Sequence, residues 1–352
     1  MAPSPEMARA LAVDVMIVSL GSTAGLRRAD EELKESLVRG GASVAVAEAP
    51  PPRQLRTMML TDLAWSRAAR TAARQMLTRL DDHPPRAVVY SSTTAALLWP
   101  RPGAIRFDSP STGNRPGRNG LWQRPLERRR LREAPLLLPW SEGALGELPA
   151  DGWAHGRALV LPVPVAPSGP SESVRDLAAI TYAANPAKKG LDRVLSAWRR
   201  VRAERPPDTA GELVVAGASS QELADAGHDI AAEEGVRVLG ALSPHEYRAM
   251  LRRARLFVCA PRREDYGLAQ LEALADGCLL VTTPAPGPYA ALPIARALDP
   301  RLVDQDLAAA LRTALDDPPA GYAVRAREAL APFGRGAVDR LVAERLLPLL
   351  LA

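Results

Sequence analysis

Cysteine is scarce in this sequence, with only Cys259 and Cys278 among 352 residues. Both stand in apolar segments, so we expect small buried core residues rather than a disulfide framework, as is typical of cytoplasmic proteins. No Cys and His residues have the spacing of a zinc site. These absences exclude a disulfide-rich fold and a structural zinc module, and they favour a cytoplasmic location.

The sequence also lacks any long apolar segment. No run approaches the roughly 20 residues of a membrane-spanning helix. The first nine residues lack the apolar stretch of a signal peptide, so we expect no secretory leader. Hydrophobic residues make up 47% and charged residues 24%, as in globular proteins, and 352 residues suffice for two domains.

Lysine is the third scarce residue. Lysine and arginine together number 45, yet the only lysines are Lys34, Lys188 and Lys189. The formal net charge of +5 favours anionic partners, for which a nucleotide sugar would suffice without any nucleic acid. Because lysine is so rare here, the adjacent pair Lys188 and Lys189 is conspicuous.

Short apolar segments alternate with helical patterns along the whole chain. The apolar run from Val13 to Leu20 ends at Gly21, a helix is expected by Ala29 to Arg39, and residues 43–47 form the next predicted strand. Such βαβ units predict an α/β protein with parallel sheets covered by helices on both faces. Further strands are predicted at 87–90, 104–107, 136–138, 158–161, 178–182, 212–216, 236–239, 256–260 and 278–281.

A segment rich in proline, from Pro162 to Pro170, interrupts this alternation and is the clearest linker. We therefore predict a first domain over residues 1–165 and a second over residues 166–335. The last stretch, residues 336–352, is predicted to be a helix that crosses back to the first domain.

Two carboxylates, Glu264 and Glu272, stand eight positions apart around a predicted strand-to-helix turn at Gly267. Leu268, Leu271 and Leu274 have helical spacing, and Gly277 ends that helix. Glu264 is thus expected on the loop after a strand and Glu272 just over one turn into the next helix. A helix N-terminus binds anions, and carboxylates accept hydrogen bonds from sugar hydroxyls.

This segment resembles the Glu-x7-Glu motif of the retaining glycosyltransferases of family 4. The resemblance is specific from about residue 178 to 290 and only architectural before that. It implies the GT-B fold, two Rossmann-like domains facing a cleft, with a nucleotide-sugar donor in the second domain and an acceptor in the first. It also implies transfer with retention of configuration, without a metal ion or other cofactor.

The resemblance assigns roles to several residues of the second domain. Lys189, on a Lys-Gly loop, would contact the donor diphosphate. Ala184 stands where the family usually has a second cation, an arginine. Lys188 could supply that missing charge. Glu264 would face the transferred sugar, and Glu272 would bind the ribose. The amides of Gly267 and Leu268 would meet the sugar or diphosphate, and Leu242 would lie beside the nucleobase. Lys189 and Glu264 are therefore the expected catalytic residues.

In the first domain the candidate acceptor residues are Gly21, on the loop after the first strand, and Asp108, Arg115 and Arg118, on a polar loop. The acceptor itself, a sugar, a lipid-linked molecule or a small molecule, stays open. Arginine binds phosphate and carboxylate, which favours an acceptor site here. An equally weighted interpretation is a solvated basic helix over residues 125–132, with the nearby tryptophans in the core. A further hypothesis places Arg128, Arg129 and Arg130 against an anionic membrane at the inner face. The tryptophans concerned are Trp99, Trp122, Trp140 and Trp153.

Other functions stay open at this stage. Asp304 and Asp306 spell the D-x-D pattern of metal-dependent glycosyltransferases, but they precede a helix and are better explained as caps. A phosphorylase or epimerase could use the same fold. The absence of a cation at Ala184 would also suit a protein that binds nucleotide sugars without transferring them.

Overall fold

The computed structural model describes residues 12–53, 55–149, 154–170, 175–206, 211–228, 230 and 234–352. The chain divides into two compact units, Met1–Pro164 with Arg335–Ala352, and Val165–Gly334. Each unit contains one parallel sheet with helices around it, which confirms the predicted fold class. Which unit binds donor and which binds acceptor stays a prediction.

The sheet of the first unit has the strand order β2-β1-β3-β4-β5. The central strand β1 is apolar throughout and buried on both faces, as parallel strands usually are. It pairs in parallel with both β2 and β3, so that Ile17 lies between Val46 and Val89. The strands are β1 (Val15–Ser19), β2 (Val44–Glu48), β3 (Ala87–Tyr90), β4 (Ala104–Phe107) and β5 (Leu137–Pro139).

Helices connect these strands and cover both faces of the first sheet. Thr23 and Thr57 cap the two long helices, each accepting a hydrogen bond from a first-turn amide. The helices are α1 (Ala24–Arg39), α2 (Met58–Arg79), α3 (Thr93–Ala96), α4 (Ser111–Asn114), α5 (Gln123–Glu133) and α6 (Glu142–Gly146).

The sheet of the second unit has the order β10-β9-β6-β7-β8. Its strands are β6 (Leu177–Tyr182), β7 (Leu213–Ala216), β8 (Val236–Gly240), β9 (Ala254–Cys259) and β10 (Leu279–Thr282). The helices are α7 (Pro186–Lys189), α8 (Leu191–Ala203), α9 (Ser220–Asp225), α10 (Pro244–Arg253), α11 (Leu268–Ala275), α12 (Ala291–Leu298), α13 (Leu307–Asp316) and α14 (Tyr322–Ala329).

The structure corrects the sequence-based elements at three places. Residues 158–161 form no strand, because the segment makes a single parallel bridge, from Ala158 to Leu137. The polar segment after β4 contains the short helix α4 and a 3-10 turn at Gly117–Gly120. The Lys188 loop is itself a helical turn, since Asn185 caps it and Pro186 starts it. Trp153 lies outside the described residues.

The end of the chain packs on the first unit through α15 (Arg335–Leu341), a π-helical turn (Val342–Leu346) and α16 (Leu347–Leu351). Val342 and Leu346 are fully buried against β1 and α1 residues. Arg335 pairs with Glu32 at 2.8 Å. This segment therefore completes one side of the first unit's core. No helix among the described residues is long and apolar enough to cross a membrane.

A buried carboxyl lies beneath the carboxyl end of β1. The Asp30 side chain, on α1, accepts a short hydrogen bond from the Ser19 hydroxyl, and its Oδ1 atom has no hydrogen-bond partner among the described residues. Burial raises the pKa of Asp30 to about 6, although Ser19 and Arg106 act to lower it. Arg106 is itself buried, donates to the Ala29 carbonyl at 2.8 Å and stacks on Trp140. The folded protein therefore binds a proton at Asp30 more tightly than the unfolded chain does.

Leu346→Ala should destabilise the protein because Leu346 is fully buried and the cavity left behind cannot close. We expect the free energy of unfolding to fall by about 2–5 kcal/mol in chemical denaturation. Leu349→Ala is the matched control, since Leu349 is 51% exposed. Equal effects of the two substitutions would mean that this segment does not complete the core.

The pKa of Asp30 predicts a stability effect with a definite sign. Because the folded-state pKa of about 6 exceeds the ordinary 3.8, Asp30 stabilises the fold below pH 3.8 and that stabilisation is lost as the pH rises through 6. Relative to Asp30→Asn, the wild-type protein should lose on the order of 3 kcal/mol of unfolding free energy between about pH 4 and pH 7. The exposed Asp82→Asn is the control. A difference between wild type and Asp30→Asn that does not change with pH would contradict the assignment.

Candidate functional site

The second sheet brings two sequence-distant loops together. Its strand order reverses between β6 and β9, because β7 and β8 extend the sheet on one side and β9 and β10 on the other. Ligands of open α/β sheets bind beyond the carboxyl ends of the strands at such a reversal. The Lys188 turn follows β6 and the Glu264 loop follows β9, so both reach this edge of the sheet.

The Lys188 turn and the β9 loop touch through their backbones. The Arg262 amide donates to the Lys188 carbonyl at 3.0 Å. Gly190 ends the turn at φ 65°, and a Cβ atom there would collide with the Ala260 carbonyl oxygen. Glycine is therefore required twice at this position, for its left-handed backbone and for the close approach of β9.

Lys189 and Glu264, the two predicted catalytic residues, lie in direct contact. Lys189 Nζ is 2.7 Å from Glu264 Oε2, and Gln270 Nε2 donates to the same oxygen at 3.1 Å. The Glu264 side chain is only 6% exposed, whereas that of Lys189 is 22% exposed. A buried carboxylate thus holds a partly accessible cation at the edge of the sheet.

Lys188, the predicted substitute for the missing cation at Ala184, has a carboxylate partner. Its Nζ lies 2.8 Å from Asp265 Oδ2, and Arg263 Nε lies 2.8 Å from Asp265 Oδ1. Burial opposes ionisation of Asp265, but Lys188 and Arg263 overcome it and lower its pKa below the ordinary value. Although its Nζ pairs with Asp265, the Lys188 side chain is 46% exposed.

Gly267, Leu268 and Glu272 are placed by the start of α11. Gly267, at φ 88°, is the N-cap residue, and no side chain caps the first turn. The first amides of a helix have no acceptor within the helix, so those near Gly267 and Leu268 are available for an anion. Leu268 is half-buried, and Glu272 is buried one turn later in the helix.

Leu242, the residue predicted beside the nucleobase, lies on the short connection between β8 and α10. Gly240, two residues earlier, accepts a hydrogen bond from the Gly217 amide at 2.7 Å through its carbonyl oxygen. Leu242 itself is half-buried. It lies at the carboxyl end of an outer strand of the sheet, on the same edge as the Lys188 turn.

The predicted acceptor residues are spread over the carboxyl edge of the first sheet. Gly21 follows β1 at φ 54°, where the strand order of this sheet reverses, and its carbonyl accepts a hydrogen bond from Arg27 at 2.7 Å. Asp108 is half-buried after β4, and Arg118 is exposed. Arg115 binds Asp62 through two hydrogen bonds of 2.7 and 3.2 Å. Arg115 therefore has a structural partner that the sequence did not indicate.

The proposed membrane-facing arginines do not share one environment. Arg129 is 70% exposed, but Arg130 is only 18% exposed and donates to the Leu97 carbonyl at 3.0 Å. Its guanidinium also lies 5.0 Å from the centroid of the Trp99 ring. The expectation that Arg128, Arg129 and Arg130 all point outward is wrong for Arg130, which packs on a core tryptophan.

The D-x-D segment has the predicted capping role. Asp306 is the N-cap of α13 and accepts hydrogen bonds from the Ala308 and Ala309 amides. Asp304 accepts from the Asp306 amide at 2.8 Å. Within the described part of the chain, no three His, Cys, Asp or Glu residues are grouped so that they could hold a metal ion.

Sequence reasoning missed the partners that orient these residues. Gln270 and Asp265 lie inside the motif but were given no role, although their hydrogen-bonding side chains in an otherwise apolar segment were a usable signal. Asp62 and Arg248 stand on helices far in sequence from the predicted sites, whereas Asp276 directly follows α11. Nothing in the spacing could have linked Asp62 to Arg115 or Arg248 to Glu272, because only tertiary packing does so.

The second unit is similar in sequence to a known protein family. The sequence family described as Glycosyl transferases group 1 matches residues 177–317, which include both the Lys189 turn and the Glu264 loop. No curated protein sequence matches the chain.

Solved structures are similar over nearly the whole chain. The glycosyltransferase WaaG, involved in lipopolysaccharide biosynthesis, has a TM-score of 0.69 at 15% identity and covers 96% of this chain and 99% of its own. Sucrose-phosphate synthase from Thermosynechococcus elongatus has a TM-score of 0.71 at 15% identity, covering 96% and 99%. Anabaena HepE, solved with UDP and glucose, has a TM-score of 0.65 at 14% identity, covering 95% and 99%. The chain therefore has the GT-B fold, and residues 177–317, within its second unit, are similar to the group 1 glycosyl transferases.

Proposed function

We propose that this protein is a retaining glycosyltransferase that moves a sugar from a nucleotide-sugar donor to an acceptor hydroxyl. The observation that carries the proposal is the contact of Lys189 with Glu264 beside the uncapped start of α11, at the strand-order reversal of a group 1 domain. A cation, an open helix N-terminus and buried carboxylates at one sheet edge match the charges and hydroxyls of a nucleotide sugar.

Lys189 would stabilise the leaving diphosphate. As the bond between the sugar and the diphosphate breaks, negative charge grows on the diphosphate oxygens, and a fixed cation and helix amides lower the energy of that state. Glu264 holds Lys189 in place before the donor arrives. Because Glu264 accepts from both Lys189 and Gln270 through Oε2, its other oxygen can accept a hydroxyl of the transferred sugar.

Glu272 would accept the ribose hydroxyls, and the amides of Gly267 and Leu268 would receive the sugar or diphosphate. Retention of configuration follows if the acceptor attacks from the face that the diphosphate leaves. The departing diphosphate then takes the acceptor proton, so no separate base is needed. Protein cations such as Lys189 and the amides at the start of α11 would neutralise the diphosphate, which makes the reaction independent of a metal ion.

The acceptor would bind the first unit near Gly21, Asp108 and Arg118. Arg115 is a poorer probe of this role, because its loss also leaves the buried Asp62 without its partner. Arg118 is exposed and can be replaced without that cost. An effect of Arg118→Ala on the acceptor KM, with unchanged donor affinity, would therefore be specific to the acceptor.

A second candidate is a nucleotide-sugar-binding protein without transfer activity. Ala184 favours it, since the usual second cation is absent and Lys188 is bonded to Asp265. A phosphorylase or epimerase would instead convert the donor without an acceptor alcohol. These functions differ in their products and can be separated by one assay.

Binding of UDP-, GDP-, ADP- and dTDP-sugars, followed by product analysis with sugar, lipid-linked and small-molecule acceptors, tests the proposal. We expect one donor class to bind and its sugar to be transferred with unchanged rate in excess EDTA, because protein cations neutralise the diphosphate. Retention is read from the anomeric configuration of the product. Donor binding without any product supports the binding protein, and activity that returns only with added metal contradicts the proposed mechanism.

Lys189→Met should lower kcat/KM for transfer by about 100-fold to 1000-fold, the usual effect of losing one group that stabilises developing charge. Lys188→Met should cost less than about tenfold, since Arg263 still neutralises Asp265. Lys34→Met, on the first unit, is the matched control, and thermal unfolding of each variant separates lost chemistry from lost stability. Small and equal losses for Lys188 and Lys189 would contradict the role of Lys189.

A further inference from the structure

Gln270, in the first turn of α11, is a buried amide that connects the candidate site with the core of the second unit. Its side chain is 1% exposed. The Nε2 atom donates to Glu264 Oε2 at 3.1 Å and lies 3.7 Å from Cys259 Sγ, at the end of β9. The orientation of the amide follows from Glu264, because a carboxylate that pairs with Lys189 can only accept a hydrogen bond.

Behind Gln270, three buried side chains form a polar cluster, which consists of Cys259, Thr282 and Tyr289. The Cys259 thiol donates to Thr282 Oγ1 at 3.2 Å, and the Tyr289 hydroxyl lies 3.1 Å from the same oxygen. The Tyr289 ring also packs on the start of α11, since a Cβ atom on Gly267 would lie 2.8 Å from it. The polar cluster therefore fixes the surroundings of the Gln270 amide from β9, β10 and the loop after β10.

The backbone at Glu264 is held as well, because its amide donates to the Pro286 carbonyl at 3.0 Å. The direction of the Glu264 carboxylate then depends on its two side-chain partners, Lys189 and Gln270. Lys189 has a long, flexible side chain that is 22% exposed. Gln270 is enclosed by the core, so it is the more rigid of the two partners.

The other end of the Gln270 amide is unsatisfied. Its Oε1 atom is buried and has no hydrogen-bond partner among the described residues. A buried acceptor without a donor is destabilising, so the amide as a whole adds little to the stability of the fold. A methionine of similar size could fill the same space without that penalty. The specific consequence of having glutamine here is thus its hydrogen bond to Glu264.

We propose that Gln270 is a positioning residue for the sugar half of the donor, because it fixes the Glu264 carboxylate toward a hydroxyl of the transferred sugar. The inference rests on the proposed function, since the contact of Glu264 with that sugar belongs to it. It adds a buried residue that touches no ligand and yet determines how well the site distinguishes a nucleotide sugar from the free nucleoside diphosphate.

The test compares the dissociation constants of a nucleotide sugar and of the corresponding nucleoside diphosphate. UDP-glucose, GDP-mannose, ADP-glucose and dTDP-glucose are screened, and those that the wild-type protein binds are used. Gln270→Met should weaken nucleotide-sugar binding about tenfold, comparable to one hydrogen bond to a charged group. Binding of the nucleoside diphosphate should stay unchanged, because it does not involve the sugar contact.

A double-mutant cycle with Glu264→Gln separates positioning from packing. If Gln270 acts through Glu264, adding Gln270→Met to Glu264→Gln should cause no further loss of nucleotide-sugar affinity. A purely structural role of Gln270 in α11 predicts instead that the two losses add. It also predicts weaker binding of the nucleoside diphosphate, since the start of α11 would be disturbed for every ligand.

Gln123→Met is the matched control. Gln123, on α5 of the first unit, is also 1% exposed, and its Oε1 atom also has no hydrogen-bond partner among the described residues. This substitution should leave both dissociation constants unchanged, and both methionine variants should unfold at temperatures close to that of the wild type. Gln270→Asn places the amide one methylene short of Glu264, so it should reproduce the loss and provides a readout if Gln270→Met does not fold.

The outcomes separate the inference from the function on which it rests. A wild-type protein that binds none of the four nucleotide sugars overturns the proposed function and the inference with it. Wild-type binding together with equal losses for nucleotide sugar and nucleoside diphosphate in Gln270→Met overturns the positioning role alone. Additive losses in the cycle, or unchanged nucleotide-sugar affinity in a folded Gln270 variant, overturn that role as well.

Discussion

The contact between the Lys188 turn and the Glu264 loop is the constraint on which the candidate site depends. The two segments are about 75 residues apart in sequence, yet Lys189 and Glu264 meet at 2.7 Å. Parallel strands on either side of a strand-order reversal bring their carboxyl ends to one edge, and Gly190 lets the backbones approach closely. Without that glycine, the cation and the carboxylate could not face the same space.

Further ion pairs surround the contact between Lys189 and Glu264. Burying a lone ion is costly, so each buried carboxylate of the site has a cation and each buried cation has more than one acceptor. Asp265 lies between Lys188 and Arg263, and Arg248 lies between Asp276 and Glu272. The consequence is a site whose charges are oriented before a ligand arrives, as electrostatic stabilisation of a transition state requires.

The first unit shows why arginine dominates the basic residues of this chain. A guanidinium can bind several carbonyl and carboxylate groups at once and can also stack on an aromatic ring. Arg106 donates to the Ala29 carbonyl and stacks on Trp140. Arg130 donates to the Leu97 carbonyl, pairs with Glu133 and stacks on Trp99. Arg130, which the sequence suggested for contact with an anionic membrane, therefore stabilises the fold instead.

Apart from the strand predicted over residues 158–161, the sequence by itself determined the strands, their alternation with helices, and the positions of Glu264, Gly267 and Glu272 on a loop, a cap and a helix. These follow from local causes, namely apolar runs, helical spacing and glycine turns. Only the tertiary structure decided which charges meet: Lys189 with Glu264, Lys188 with Asp265, Arg115 with Asp62 and Arg248 with Glu272. Each pair joins residues on different elements, and side-chain partners across elements are set by sheet order and helix packing, which no local pattern encodes.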